Sequence, residues 1–251
     1  MTPMTVTGDS SFPPSALDWL LDSTGKRVLA LGRTAAPLMA RMTDRGAALT
    51  ASDPVPSGVR RLLAHAPRAL PTVSDASQLP FAPGAFDVIV INQSLHTLDL
   101  DRALPELARV LALGGHLAIS YTLRDDSVPW VRRLIKLMQA VDPEAMRGDY
   151  GSDSVATVAA SPHFTRTEGR DFRLWTPISR KGMLDMVRRR FERLDATRLD
   201  PLLAAVGELY DSSARAPEPL LLPYRVSCWR VTVDHLMRTA SGADEGLTIT
   251  L

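Results

Sequence analysis

The stretch FDVIVINQSLHTLDLDRALPELARVLALGGHLAIS, residues 86–120, holds an apolar run, a polar turn, an amphipathic helix pattern and a second apolar run in that order. Its first six residues are rich in Val and Ile without alternation, the pattern of a parallel strand covered on both faces. Such a strand needs helices on either side of it, which makes the fold class α/β. The run stops at Asn92, Gln93 and Ser94. Ligands of open α/β sheets bind outside the carboxyl ends of the strands, so this polar cluster marks the end of the sheet where a site belongs.

The same alternation continues outward. Upstream, the pattern predicts a helix at 15–22, a strand at 27–31, a helix after Pro37, a strand ending near Asp53, a helix at 58–65 and a strand at about 69–73. Pro37 suits a first helical turn, where its missing N–H costs little. Strand and helix in turn imply a parallel sheet with helices on both faces. From 125 to about 222 the pattern changes to helical segments at 128–140, 179–194 and 201–212, with strand-like HFTRTEGRDFRLW at 163–175 between the first two. That stretch is too long for a connecting loop. Alternation in YRVSCWRVTVDH, 224–235, then marks a half-buried final strand.

Several blocks, spread in order over roughly residues 11–234, resemble one bacterial branch (type 11-like) of the class I S-adenosylmethionine (SAM) methyltransferases. Residues 86–120 are similar to the family's F-D-x-V-x-x-x-x-x-x-H followed by A-L-x-E-x-x-R-V-L-x-P-G-G. SFPPSALDWLL at 11–21 resembles its first helix, VSDASQLPF at 73–81 its D-A-x-x-L-P-F segment, and YTLRDDSVPWVRRL at 121–134 its W-N-x-R-D-x-x-V-P-W-V. Ordered matches of this breadth are more specific than any single motif. The resemblance implies a Rossmann-like, mostly parallel seven-stranded sheet with helices on both faces, and a last strand that runs antiparallel between two neighbours. It also implies one domain over 11–238 between flexible ends at 1–10 and 239–251, with a substrate-covering insertion at 125–222 before the last strand.

What the family would do here is transfer the methyl group of SAM to a small molecule, with O-methylation as the default. The alternative is a methyltransferase-like protein that has lost catalysis and serves as a binding or regulatory partner. By resemblance, Gly32, Thr34, Asp53, Asp75, Ala76, Asn92 and Gln93 hold SAM, His96 is the candidate general base, and Arg124 and Trp130 contact the acceptor. Several of these positions also read structurally. Asp53-Pro54 is a turn starter, Asp75 suits a cap, His96 suits a helix start, and Arg124 can pair with Asp125 or Asp126.

The loop LALGRTAA at 29–36 departs from the family's L-D-L-G-x-G-x-G: Ala30 replaces the acid, and Thr34 and Ala36 replace the second and third glycines. If the loop needs positive φ at the second glycine, a β-branched Thr34 obstructs it. GRTAAP also fails the G-x-G-x-x-G spacing of a dinucleotide dehydrogenase. Phe12 stands where the branch has Tyr.

Composition narrows the classes further. A net charge of +1 gives no global pull toward nucleic acid or an anionic membrane. Cys228 is the only cysteine, so no intramolecular disulfide can form, which suits a reducing cytoplasm. Scattered histidines at 65, 96, 116, 163 and 235 show no metal-ligand spacing. The N-terminal residues lack a charged-then-apolar signal pattern, and no apolar stretch approaches a membrane span. Arg188–Arg190 falls on a helical pattern and reads as a solvated face.

Overall fold

The computed structural model describes residues 12–143, 145, 151–214 and 219–234. The expected flexible ends lie outside them. In chain order the elements are α1 (Pro14–Leu21), β1 (Arg27–Leu31), α2 (Ala36–Asp44), β2 (Ala48–Asp53), α3 (Pro56–Leu63), β3 (Leu70–Val73), β4 (Phe86–Asn92), α4 (Leu100–Val110) and β5 (Leu111–Arg124). There follow α5 (Pro129–Gln139), α6 (Ser152–Ala160), β6 (Phe164–Ile178), α7 (Arg180–Arg190), α8 (Ala196–Ser213) and β7 (Leu220–Val233). Short 3-10 turns at Arg33–Ala35 and Leu95–Thr97 follow the ends of β1 and β4.

The seven strands form one sheet in the order β3-β2-β1-β4-β5-β7-β6. Parallel pairing joins β3 to β2, β2 to β1, β1 to β4 and β4 to β5. At the other edge the Asp234 N–H, just past β7, donates to the carbonyl of His163, just before β6. The end of one strand therefore meets the start of the other, so β7 runs antiparallel to β6. The strand-like run at 163–175 falls mostly in β6, and the last strand, β7, lies between β5 and β6 in a seven-stranded sheet, as expected.

The chain divides into two compact units. Of the described residues, the sheet unit holds 12–121, 151–172 and 227–234, and the helical unit holds 122–143, 145, 173–214 and 219–226. Within the stretch 125–222, residues 151–172 belong to the sheet unit and the other described residues to the helical unit. There α6 places Val155 and Val158 in the same apolar cluster as Leu29, Leu31, Ile89, Ile91, Leu117 and Ile119. Sequence reading passes over α6 because SDSVATVAA offers only those two buried apolar residues, too few for an amphipathic period. The helical unit has its own core, in which Leu134 and Met138 of α5 meet Met183 and Val187 of α7 and Leu202 and Val206 of α8.

Local chemistry explains the edges of the elements. Residues at β1 and β4 are buried along nearly their whole length, as a central parallel strand requires. Helix α4 buries Ala103, Leu104, Leu107, Ala108 and Val110, one stripe at helical spacing. Pairing of β4 with β5 shifts register between Phe86 and Val88, and residues 112–115 bulge out of the ladder. Gly115 permits it, since a Cβ there would lie 2.9 Å from the Ala112 carbonyl oxygen.

Cys228 on β7 is buried, and desolvation pushes its thiol up to about 12. Arg188 pairs with Asp185 and Arg190 with Asp142, so the arginine run of α7 faces solvent and is held by carboxylates.

Candidate functional site

The carboxyl ends of β1, β2, β3 and β4 open onto a cavity of about 680 Å³, within the size range of small-ligand sites. Because the sheet order is β3-β2-β1-β4, the lining follows the same order: Asp75 after β3, Asp53 at the end of β2, Gly32 to Thr34 after β1, and Gln93 with Ser94 after β4. All of these belong to the sheet unit.

Gly32 makes the turn. Its φ is +83°, a conformation glycine adopts without strain, and its N–H donates to the Ser52 carbonyl at 2.8 Å. The chain then closes into the 3-10 turn Arg33–Ala35, and Ala36 begins α2. Thr34 is absent from the residues with positive φ. The obstruction expected of a β-branched residue does not arise, because only the first loop position needs the left-handed region. Ala36 has helical φ and ψ and is buried at the start of α2. Ala30 is fully buried in β1 between Ala51 of β2 and Val90 of β4.

Asn92 does not line the cavity. Its Nδ2 donates to the Thr34 carbonyl at 2.6 Å, and its Oδ1 accepts from the Ser120 hydroxyl at 2.9 Å. The residue is a strut between the loop and β5. The Thr34 hydroxyl is itself buried and has no hydrogen-bond partner among the described residues. A hidden hydroxyl left unpaired costs about 1–3 kcal/mol, which a bound polar group can recover.

Asp53 is 4% exposed. One carboxylate oxygen accepts the Arg33 N–H at 2.8 Å and the other the Val55 N–H at 2.9 Å. A carboxylate oxygen has a further acceptor site, so Asp53 can still take hydroxyl donors from a ligand. Gly58 in α3 makes room for it: a Cβ there would sit 2.1 Å from the Asp53 carboxyl carbon.

Asp75 accepts the Ser77 hydroxyl at 2.6 Å and the Ser77 N–H at 2.8 Å on one oxygen. The Ser77 hydroxyl, then the Ser77 N–H, and the charge of Arg102 hold its carboxyl below the usual aspartate value. Ala76 lies beside it, buried in the sheet core. The loop that carries both is clamped from α4. Arg109 donates to the carbonyls of Phe81 and Leu79, at 2.7 and 3.0 Å, and Glu106 accepts the Leu79 N–H at 2.7 Å. Sequence reading finds Glu106 and Arg109 at helical spacing; the backbone they hold becomes visible only in three dimensions. Arg109→Ala should cost roughly 1.5–3 kcal/mol in a denaturant melt, the worth of hydrogen bonds from a charged donor.

Gln93 has φ +60°, uncommon outside glycine, and its N–H donates to the Ser120 carbonyl at 2.8 Å. His96 is exposed, on the turn Leu95–Thr97, and is not among the cavity's lining residues. Its Nδ1 lies 3.0 Å from the hydroxyl of the fully buried Tyr121, and its own N–H donates to that hydroxyl at 3.2 Å. Burial pushes that phenol up, while backbone hydrogen bonds from His96 and Leu95 act the other way. The tautomer of the His96 ring sets which partner donates in the contact between Nδ1 and the hydroxyl.

Arg124 and Trp130 belong to the helical unit. Arg124 points at Met186 Sδ, 2.6 Å away. Asp125 accepts the Ser127 hydroxyl and lies 3.6 Å from Arg173. Trp130 packs on the helical core. Phe12 is buried, and its carbonyl accepts from Arg41. Among the described residues no three His, Cys, Asp or Glu side chains group as metal ligands, and no helix is long and apolar enough to cross a membrane.

Residues 29–119, which hold β2, β3, β4, α4 and most of β1 and β5, match a family of methyltransferase domains. An uncharacterized methyltransferase of Mycobacterium tuberculosis is 29% identical over 235 residues, covering 90% of this chain and 91% of its own length. A demethylmenaquinone methyltransferase of Mycolicibacterium paratuberculosis is 37% identical over 97 residues, 38% of this chain and 41% of the relative. In three dimensions the chain is similar to a candidate type II methyltransferase from Anaeromyxobacter dehalogenans, with a TM-score of 0.58, 21% identity and coverage of 88% and 95% of the two chains. A candidate methyltransferase from Bacillus halodurans superposes with a TM-score of 0.55, 16% identity and coverage of 87% and 98%. Residues 29–119 accordingly match the family of methyltransferase domains, and the chain has the fold of the class I methyltransferases that it resembles.

Proposed function

We propose that this protein is a SAM-dependent methyltransferase that acts on a small molecule, with an oxygen as the default acceptor. The observation that carries the reading is the cavity at the ends of β1 to β4, where Gly32, Asp53, Asp75 and Gln93 converge although they lie far apart in sequence. The residues fit the group: the Thr34 hydroxyl is buried without a partner, and Asp53 retains acceptor capacity toward ribose hydroxyls. Asp75 offers a carboxylate toward an adenine amino group, as the family resemblance implies. When bound, SAM supplies an electrophilic methyl group on a sulfonium, so the protein's task is chiefly to align an acceptor.

A general base is optional in that chemistry; where one is used, His96, whose Nδ1 lies 3.0 Å from the Tyr121 hydroxyl, is the candidate. The buried lone thiol of Cys228 fits a reducing cytoplasm. The competing reading, a binding protein of methyltransferase fold without turnover, is favoured by the neutral Ala30 in place of the family's acid.

Calorimetry with SAM and with S-adenosylhomocysteine tests the proposal, and methyl release in the presence of candidate acceptors separates it from its competitor. Asp53→Ala should weaken both ligands by about 1–3 kcal/mol. It should also lower the melting temperature, because the Arg33 and Val55 N–H groups lose their acceptor. No saturable binding of either ligand at millimolar concentration would sink the reading.

A further inference from the structure

We propose that the altered loop recognises a carboxylate: the Arg33 guanidinium and the Thr34 hydroxyl hold the amino-acid carboxylate of an adenosyl ligand. The inference rests on the proposed function and names the part of the ligand that this chain's own loop would read.

Direction comes from the sheet. With a nucleoside's hydroxyls at Asp53 and its base toward Asp75, the strand order leaves the far end of the ligand over the ends of β1 and β4. That end of the cavity is lined by Arg33, Thr34, Gln93 and Ser94. The carboxylates that line the cavity are Asp53, Asp75 and Asp99. Asp53 spends one contact of each oxygen on backbone N–H groups, while the other lining cation, Arg102, lies near enough to Asp75 to lower its carboxyl.

Two groups are left over. Arg33 lines the cavity with an exposed side chain whose guanidinium makes no hydrogen bond or ion pair among the described residues. The Thr34 hydroxyl is buried and unpartnered, about 3.7 Å from where a Cβ on Gly32 would stand. These are independent observations on adjacent residues, one a charge and one an orphaned hydroxyl. Guanidinium and hydroxyl together match a carboxylate, which accepts a fork of N–H donors and a further O–H. The tail of an adenosyl amino acid brings that group to the β1 side. Thr34, in a glycine's place, thereby gains a ligand contact, and Gly32 alone keeps the turn.

The test compares S-adenosylhomocysteine with 5′-methylthioadenosine, which lacks the amino-acid end, by calorimetry on the full chain and on Arg33→Gln, Thr34→Val and Thr34→Ser. The full chain should prefer S-adenosylhomocysteine by tenfold or more. Arg33→Gln should remove most of that preference and Thr34→Val a severalfold part of it, while Thr34→Ser retains it and 5′-methylthioadenosine affinity stays unchanged in all. If both ligands bind yet neither variant alters their ratio, the inference falls and the functional reading stands. If neither ligand binds the full chain, both fall. Arg33-dependent binding of ADP in preference to S-adenosylhomocysteine would show a phosphate reader and overturn the carboxylate assignment.

Discussion

Gly58→Ala is expected to weaken SAM at least tenfold, even though alanine is the better helix former by about 1 kcal/mol. The added Cβ would stand 2.1 Å from the Asp53 carboxyl carbon and 2.1 Å from one of its oxygens. Asp53 has no easy escape, since it is buried and its two oxygens hold the N–H groups of Arg33 and Val55. Displacing the carboxylate therefore loosens the loop after β1 and the start of α3 together. Overpacking of this kind costs about 1–3 kcal/mol, partly offset by helix propensity, so the fold should survive while binding suffers. Calorimetry and a thermal melt read the two effects separately. In the double variant with Asp53→Ala the clash is gone, and Gly58→Ala should then cost little more than Asp53→Ala alone. Equal costs of Gly58→Ala in both backgrounds would show that Asp53 is not what the glycine accommodates.

The second large effect concerns Ala30, where the family carries an acid. Restoring it by Ala30→Asp should destabilise the protein by about 3–5 kcal/mol, the scale of an uncompensated buried charge. Ala30 is fully buried in the middle of the sheet, with Ala51 and Val90 as its neighbours on the two adjoining strands. By strand alternation it faces away from Leu29 and Leu31, which lie in the apolar cluster on the other side. At roughly 2–4 °C per kcal/mol for a chain of this size, the melting temperature should fall by about 10 °C. A melt within a degree or two of the parent would mean that a polar partner reaches position 30.

The central sheet was legible because fully buried parallel strands write themselves as apolar runs; β1 matches the expected strand at 27–31, and β4 extends it by one residue to Asn92. Elements with weak periodicity were not. Helix α8 begins at Ala196, several residues before the proline that suggested its start, because Asp195 caps it by accepting the Arg198 N–H. Strand β7 begins inside the proline-rich lead, and Pro223 contributes its carbonyl to the Asp125 N–H. For the site, sequence order identified which residues gather at the strand ends. It gave no view of how their atoms are used. Asn92 faces inward to a backbone carbonyl, and His96 shares its Nδ1 with a buried phenol. Thr34 never enters the conformation that a glycine was needed for.

The sheet's two rims bear on how copies of this protein behave when crowded. An open strand edge invites a strand from another molecule, and each rim discourages that in its own way. Strand β3 has only four residues, one of them Pro71, which lacks the N–H that a ladder would require. Strand β6 has fifteen, but Arg166, Glu168, Arg170, Asp171 and Arg173 are spaced along it. An incoming strand would have to bury those charges or match them one by one. Self-association by sheet extension is thereby disfavoured at both ends, and the exposed Leu70 and Val73 of the short rim can be tolerated without seeding aggregates.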